Sequence, residues 1–281
     1  MKEPPSYNEI LSRHIKLPVE DKELGWLIAQ KYPYIRSRLD EKQRKAIKEI
    51  AIRAILRRAL NTLGPTKRSA KLKRETYRFG ADEIDLESTL DQILGKEEYQ
   101  VEDIIVQTRE KKKLAGTLMV DTSLSMAGEK LAVASVGASM LALELKDDNY
   151  AVVTFESRAR VLKAMRERKD AQSVIEELLE TPATGDTNME DGLRVGLIEL
   201  QKVAAGERLG IMITDGQCTG GFHPEKVAAK YPKLCVMMIE SPVSNPGTCA
   251  LLANLGKGKF YRVKDYYEVP RAIHNLLREF T

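Results

Sequence analysis

The chain has 281 residues, 43% of them hydrophobic and 31% charged, which is enough apolar content for one large domain or a large and a small one. That balance excludes disorder throughout, and no apolar run reaches the roughly 18 to 20 uncharged residues that a bilayer-crossing helix needs. The net charge of +4 conceals an asymmetry: residues 1–80 hold 20 Lys and Arg against 9 Asp and Glu, or +11, while the remainder holds 25 against 32, or −7.

The amino terminus, Met1-Lys2-Glu3-Pro4-Pro5, lacks the apolar stretch of a secretion signal. A helix is expected around Lys22 to Ala29, limited by Pro33. A longer one is expected from Asp40, as N-cap, to Leu63, with Ile47, Ile50, Ile55, Leu56 and Leu60 on one stripe and Gly64-Pro65 as its stop. The basic run from Lys67 to Arg78 has few apolar anchors and reads as a linker or exposed arm. Asp82 to Leu94 is a short amphipathic helix ended by Gly95. From Val101 the texture changes to alternating strands and helices. Strands are expected at residues 101–108, 115–120, 150–155, 160–163, 209–214, 234–239 and 259–263. Helices fall between them at about 128–145, 171–179, 189–203, 224–229, 249–255 and 267–280. Apolar strands alternating with helices specify an α/β fold with a doubly wound, mostly parallel sheet. The four residues between the 150–155 and 160–163 strands are too few for a parallel crossover, so that pair is an antiparallel hairpin. The chain then divides into a basic helical region (1–80), a connecting amphipathic helix with a lead-in strand (81–111), and an α/β domain (112–281).

Three segments concentrate oxygen-bearing side chains, two at strand ends and one just before a helix. The run Leu118-Met119-Val120 stops on Asp121-Thr122-Ser123-Leu124-Ser125, and two others are Gly185-Asp186-Thr187-Asn188 and Ile213-Thr214-Asp215-Gly216. In a doubly wound sheet, loops leaving the carboxyl ends of strands converge near the point where strand order reverses. Asp121, Ser123, Ser125, Thr187 and Asp215 are therefore candidate ligands of one hard cation. Without His or Cys, hydroxyls and two carboxylates suit Mg²⁺, with Mn²⁺ as the other choice, and disfavour Zn²⁺ and copper. So little negative charge leaves a divalent ion electrophilic, which favours docking of an acidic group over catalysis. The competing reading is local: Ser123 or Ser125 caps the helix near Gly128, and Thr187 caps the helix near Met189.

Other motifs argue against an enzyme. His14, His223 and His274 are far apart, no Gly-x-Ser-x-Gly elbow is present, and neither a phosphate-binding loop nor a dinucleotide fingerprint occurs. Asp186, Glu190 and Asp191 read as first-turn acidic residues. Cys218, Cys235 and Cys249 form no CxxC pair, which fits a cytoplasmic location. The residues Arg36, Arg38, Lys42, Arg44, Lys45, Lys48, Arg53, Arg57 and Arg58 form either a phosphate-binding face for nucleic acid, or a solvated face or dock for the acidic body.

The Asp121-x-Ser123-x-Ser125 loop, Thr187 and Asp215 together resemble the metal-ion-dependent adhesion site of the von Willebrand factor A (VWA) domain. The resemblance spans approximately Lys112 to Thr281, with Leu124 standing where the family commonly has Gly, a change expected to affect loop stiffness more than coordination. It implies that a Glu or Asp of a partner protein completes a Mg²⁺ shell; that no membrane is among the expected partners follows instead from the short apolar runs. The segment from Arg74 to Leu94, followed by Arg109-Glu110-Lys111-Lys112-Lys113, resembles the approach to this domain in partners of MoxR-type AAA+ ATPases and in metal-chelatase D subunits. That resemblance implies an adaptor role in an ATPase complex. The alternative is an RNA-binding protein that uses the basic region, with the VWA domain as a protein dock.

Overall fold

A computed structural model describes residues 22–63, 71–77, 83–96, 100–110, 114–126, 128–145, 149–204, 206–242, 244–264 and 268–279. The expected stop at Gly64-Pro65, the amino-terminal segment and Lys111 to Lys113 lie outside these residues. The first described helix, α1 (Lys22–Ile35), runs through Pro33 rather than ending before it. Proline sits in the last turn, where it removes only one intrahelical bond, and burial of Tyr32 and Ile35 in the core offsets that loss. In α2 (Glu41–Leu63) the start is set by a reciprocal cap. The Gln43 N–H donates to the Asp40 carboxylate at 2.8 Å, and the Asp40 N–H donates to the Gln43 side chain at 3.2 Å.

The basic run is not an arm throughout: β1 (Lys71–Thr76) is a strand, and β2 (Glu83–Ile84), α3 (Leu86–Ile93) and β3 (Ile105–Glu110) follow it. These strands form a small antiparallel sheet in the order β1-β3-β2. The expected strand at 101–108 is thereby shifted: Val101 to Asp103 form a 3-10 turn, and Ile105–Glu110 pairs with β1 and β2 outside the main sheet. The expected helix from Asp82 begins later, since Glu83 and Ile84 pair with β3 and the Asp85 carboxylate caps α3 by accepting from the Ser88 N–H.

The main sheet contains β4 (Leu114–Asp121), β5 (Asn149–Phe155), β6 (Ala159–Lys163), β7 (Glu207–Thr214), β8 (Leu234–Ile239) and β9 (Lys257–Val263), in the order β6-β5-β4-β7-β8-β9. Every neighbouring pair is parallel except the β5-β6 hairpin. The helices between are α4 (Glu129–Glu144), α5 (Ala171–Glu180), α6 (Met189–Gln201), α7 (Pro224–Ala228), α8 (Pro246–Leu255) and α9 (Val269–Arg278). Alternation along each strand sends side chains to two cores. Leu118, Val120, Ile211 and Ile213 pack with α4, α5 and α9, whereas Met119, Phe155 and Met212 pack with α6, α7 and α8.

The amino-terminal helices add a third layer over α4. Trp26, Tyr32, Ile47, Ile52 and Ile55 belong to the same buried cluster as Leu131 and Leu141, so α4 is covered on both sides and is buried from Leu131 to Ala142. The acidic end of α5 meets the basic face of this layer. Glu180 pairs with Arg44 and accepts the Tyr32 hydroxyl at 2.5 Å, Lys48 reaches Glu176 at 2.5 Å, and Arg36 donates to the Leu179 carbonyl at 2.6 Å. Three of the nine basic side chains thus dock on the acidic body. Among the described residues no helix is long and apolar enough to cross a membrane.

A close approach between β8 and β9 gives a stability prediction. A Cβ on Gly258 would enter the space of the Leu234 carbonyl, where backbone rather than a movable side chain would have to yield. Gly258→Ala should cost about 2–3 kcal/mol and lower the melting temperature by about 5 °C or more. An unchanged thermal unfolding curve would contradict that packing.

Candidate metal centre

The chain leaves β4 toward β5 on one side of the sheet and returns to build β7 on the other, so the order reverses between β4 and β7. Loops diverge at such a point and leave a crevice at the carboxyl edge. Asp121 is the last residue of β4, and Asp215 directly follows β7. The parallel register aligns Val120 with Ile213, which sets Asp121 beside Thr214. The Thr214 hydroxyl donates to Asp121 Oδ2 at 2.6 Å, an interaction buried at both ends. Thr214 was not distinguished by its sequence, although a hydroxyl closing an otherwise apolar strand next to a strand-end Asp is the available signal.

Short polar side chains fold each loop back on itself. The Ser123 N–H donates to Asp121 Oδ1 at 2.9 Å, the Gly216 N–H to Thr214 Oγ1 at 3.1 Å, and the Gln217 N–H to Asp215 Oδ1 at 3.4 Å. The Ser123 and Ser125 hydroxyls lie 3.1 Å apart. Main-chain bonds then tie in the remaining loop. The Thr184 N–H donates to the Thr122 carbonyl at 3.2 Å, and the Thr187 carbonyl accepts from the Thr219 and Gly220 N–H groups at 3.1 and 3.0 Å. Asp121, Ser123, Ser125, Thr187 and Asp215 are therefore brought to one edge of the sheet by three interconnected loops.

The hydroxyls are not used as helix caps. Gly128, the N-cap of α4, receives no side-chain cap, and α6 is capped by the Asn188 side chain accepting from the Asp191 N–H. Among the described residues the Thr187 hydroxyl has no hydrogen-bond partner, although the residue is buried. Asp121 is fully buried, and desolvation pushes its carboxyl up to about 6 against the opposing bonds from Thr214 and Ser123, with the Asp215 charge adding to the rise. The Lys130 ammonium lies 3.4 Å from Asp215 Oδ2 and brings positive charge to these carboxylates. Among the described residues no three His, Cys, Asp or Glu side chains gather as a metal cluster, so an ion at this edge depends on hydroxyl donors. Two carboxylates with hydroxyls fit a hard, oxygen-preferring divalent ion.

Two further residues border the centre without any sequence signal. Lys130 stands in the first turn of α4, and Tyr34 of α1 lays its ring against Gly128. Gly128 has φ +77° and ψ −117°, a conformation that L side chains rarely adopt, and a Cβ there would also displace Tyr34. Cys218 is exposed beside the Thr187 loop, and partial desolvation of its thiol raises its pKa.

The family model of the von Willebrand factor type A domain matches residues 117–217, which include all five candidate ligands. A solved structure described as von Willebrand factor type A from Catenulispora acidiphila aligns with a TM-score of 0.50 and 16% identity over 62% of this chain and 43% of that one. BatB from Bacteroides thetaiotaomicron aligns at TM-score 0.48 and 18% identity over 59% of this chain and 98% of that one. An aerotolerance-related membrane protein from Bacteroides fragilis aligns at 0.49 and 17%, over 60% of this chain and all of that one. No curated protein sequence gives a significant match. Residues 117–217 match the von Willebrand factor type A family, and the main sheet with its flanking helices is a VWA-like fold.

Proposed function

We propose that the protein is a non-enzymatic, Mg²⁺-dependent interaction module that binds an acidic side chain of a partner protein. Domains of this family are commonly protein-interaction modules. The observation that carries the reading is the convergence of two buried carboxylates with three hydroxyls that no helix uses as caps. Asp121 and Asp215 would supply the charge that holds Mg²⁺, and Ser123, Ser125 and Thr187 the neutral oxygens. When bound, the ion supplies an electrophilic centre for a carboxylate from outside. Lys130 and the amino-terminal end of α4 add positive potential beside it.

We further propose an adaptor role toward a MoxR-type AAA+ ATPase. The exposed Leu86, Leu90 and Leu94, at four-residue steps on and just after α3, support it as a second contact ahead of the domain. Capture of such an ATPase in Mg²⁺ but not in EDTA, lost in Thr187→Val, is the expected result. Capture indifferent to chelator would refute the reading. The RNA alternative receives less support, because Arg36, Arg44 and Lys48 already engage α5.

Lys130 gives an independent check on the metal. Its ammonium competes with a cation for Asp215, so Lys130→Met should tighten Mg²⁺ binding several-fold in calorimetry. An unchanged or weaker affinity would show that the ammonium does not occupy the ion's place.

A further inference from the structure

Three large apolar side chains stand exposed at the loop edge: Leu124 at 70%, Tyr34 at 52% and Phe222 at 90%. Each borders the metal centre by a different route. Leu124 lies between the two serine donors. The Tyr34 ring covers Gly128, at the start of the helix that carries Lys130. The Phe222 N–H donates to Glu190 Oε2 at 2.7 Å and the His223 N–H to the same oxygen at 3.0 Å, so the Phe222 backbone is pinned to the first turn after Thr187 and Asn188 while its ring stays in solvent. A ring left in water on a backbone held this firmly is placed to meet another surface with little loss of backbone freedom.

With Mg²⁺ bound, the chemistry that these residues border would be anion-seeking. Lys130 lies beside Asp215, and the 16-residue α4 presents its amino-terminal end there. Phe222 is held by the same Glu190 that occupies the first turn of α6, so its position is linked to the Thr187 loop rather than to a mobile tip.

We propose that the partner segment carries its carboxylate between large apolar side chains, which rest on Leu124, Phe222 and Tyr34. The docking surface is then composite: α1, which precedes the matched residues 117–217, contributes Tyr34 to a rim otherwise built by the VWA loops. This proposal rests on the metal reading and specifies what the partner must offer beyond an acidic group.

The test uses the full chain and two fluorescent capped peptides, one with Glu between Phe and Leu and one with Glu between two Ser residues. Anisotropy titrations in Mg²⁺ should show the apolar-flanked peptide binding about tenfold tighter, as expected from burying on the order of 50 Å² of apolar surface. Phe222→Ser and Tyr34→Ala should each reduce that preference, and the double variant should bring it within about twofold, while calorimetric affinity for Mg²⁺ alone stays unchanged. Equal binding of the two peptides to a protein that does bind Mg²⁺ would overturn the rim and leave the metal reading standing. A preference undiminished in EDTA would overturn the proposal as well, since the carboxylate would then play no part. Absence of Mg²⁺ binding in calorimetry would overturn the metal reading, and the proposal with it.

Discussion

Asp121→Asn is expected to abolish the rise in melting temperature that Mg²⁺ gives the unaltered protein. A ligand that binds only the folded state stabilises it by about 2.7 kcal/mol at one hundred times its dissociation constant, so the response of the unaltered chain should be several degrees. The size of the response should depend on pH. Burial holds the Asp121 carboxyl at about 6, above its ordinary 3.8, so the folded chain binds the proton more tightly than the unfolded one. Without metal, stability is greatest below about pH 4 with respect to this group and falls by on the order of 3 kcal/mol as pH rises through 6. Mg²⁺ needs the ionised form, so its affinity should drop about tenfold per unit below pH 6. The thermal gain from Mg²⁺ should therefore be large at pH 7.5 and small at pH 5, and in Asp121→Asn it should be absent at both. Equal calorimetric Mg²⁺ binding by the two proteins would remove Asp121 from the shell.

Deleting residues 1–64 is expected to leave a chain that does not fold stably. Trp26, Ile28, Tyr32, Ile47, Ile52 and Ile55 are buried in one cluster with α4 and α5. At about 2 kcal/mol each their burial is worth on the order of 10 kcal/mol, comparable with the whole stability of an ordinary domain. Removal would also expose the outer face of α4, where Ala and Val rather than charged residues fill the sequence from Leu131 to Ala142. Loss of a cooperative thermal transition, with the fragment binding a hydrophobic dye, is the anticipated outcome. A soluble, two-state fragment would mean that the helical layer is an accessory cover.

Much of this architecture was legible because its signals are local. The β5-β6 hairpin followed from a four-residue link, and the carboxyl-edge placement of Asp121 and Asp215 followed from strands ending on polar residues, with Thr187 marked by a polar loop just before a helix. Pairing between distant charged segments was not legible. Lys71 to Thr76 meets Ile105 to Glu110 without any apolar alternation to announce it, and β2 and α3 intervene in sequence between the partners. Pro33 misled because its cost depends on position within the helix, which only packing of Tyr32 and Ile35 reveals. In the centre, the motif residues are recognisable by type, but Thr214, Lys130 and Tyr34 enter through register and tertiary contact. The charge asymmetry was legible as a fact and ambiguous as a cause, until Glu176 and Glu180 were found facing the basic helices.

The loops around the centre are stitched together by amide-to-carbonyl bonds from Thr184, Thr219 and Gly220, joined by a parallel bridge between Asn188 and Gly220. Such stitching prepays the ordering that an ion would otherwise have to impose. If Mg²⁺ binds as proposed, it would enter like a key into a lock already cut, and its exchange would be rapid and reversible without any refolding of the rim. A cell could in that case release the partner simply by withdrawing the ion or outcompeting the carboxylate, and reuse the same receptor intact.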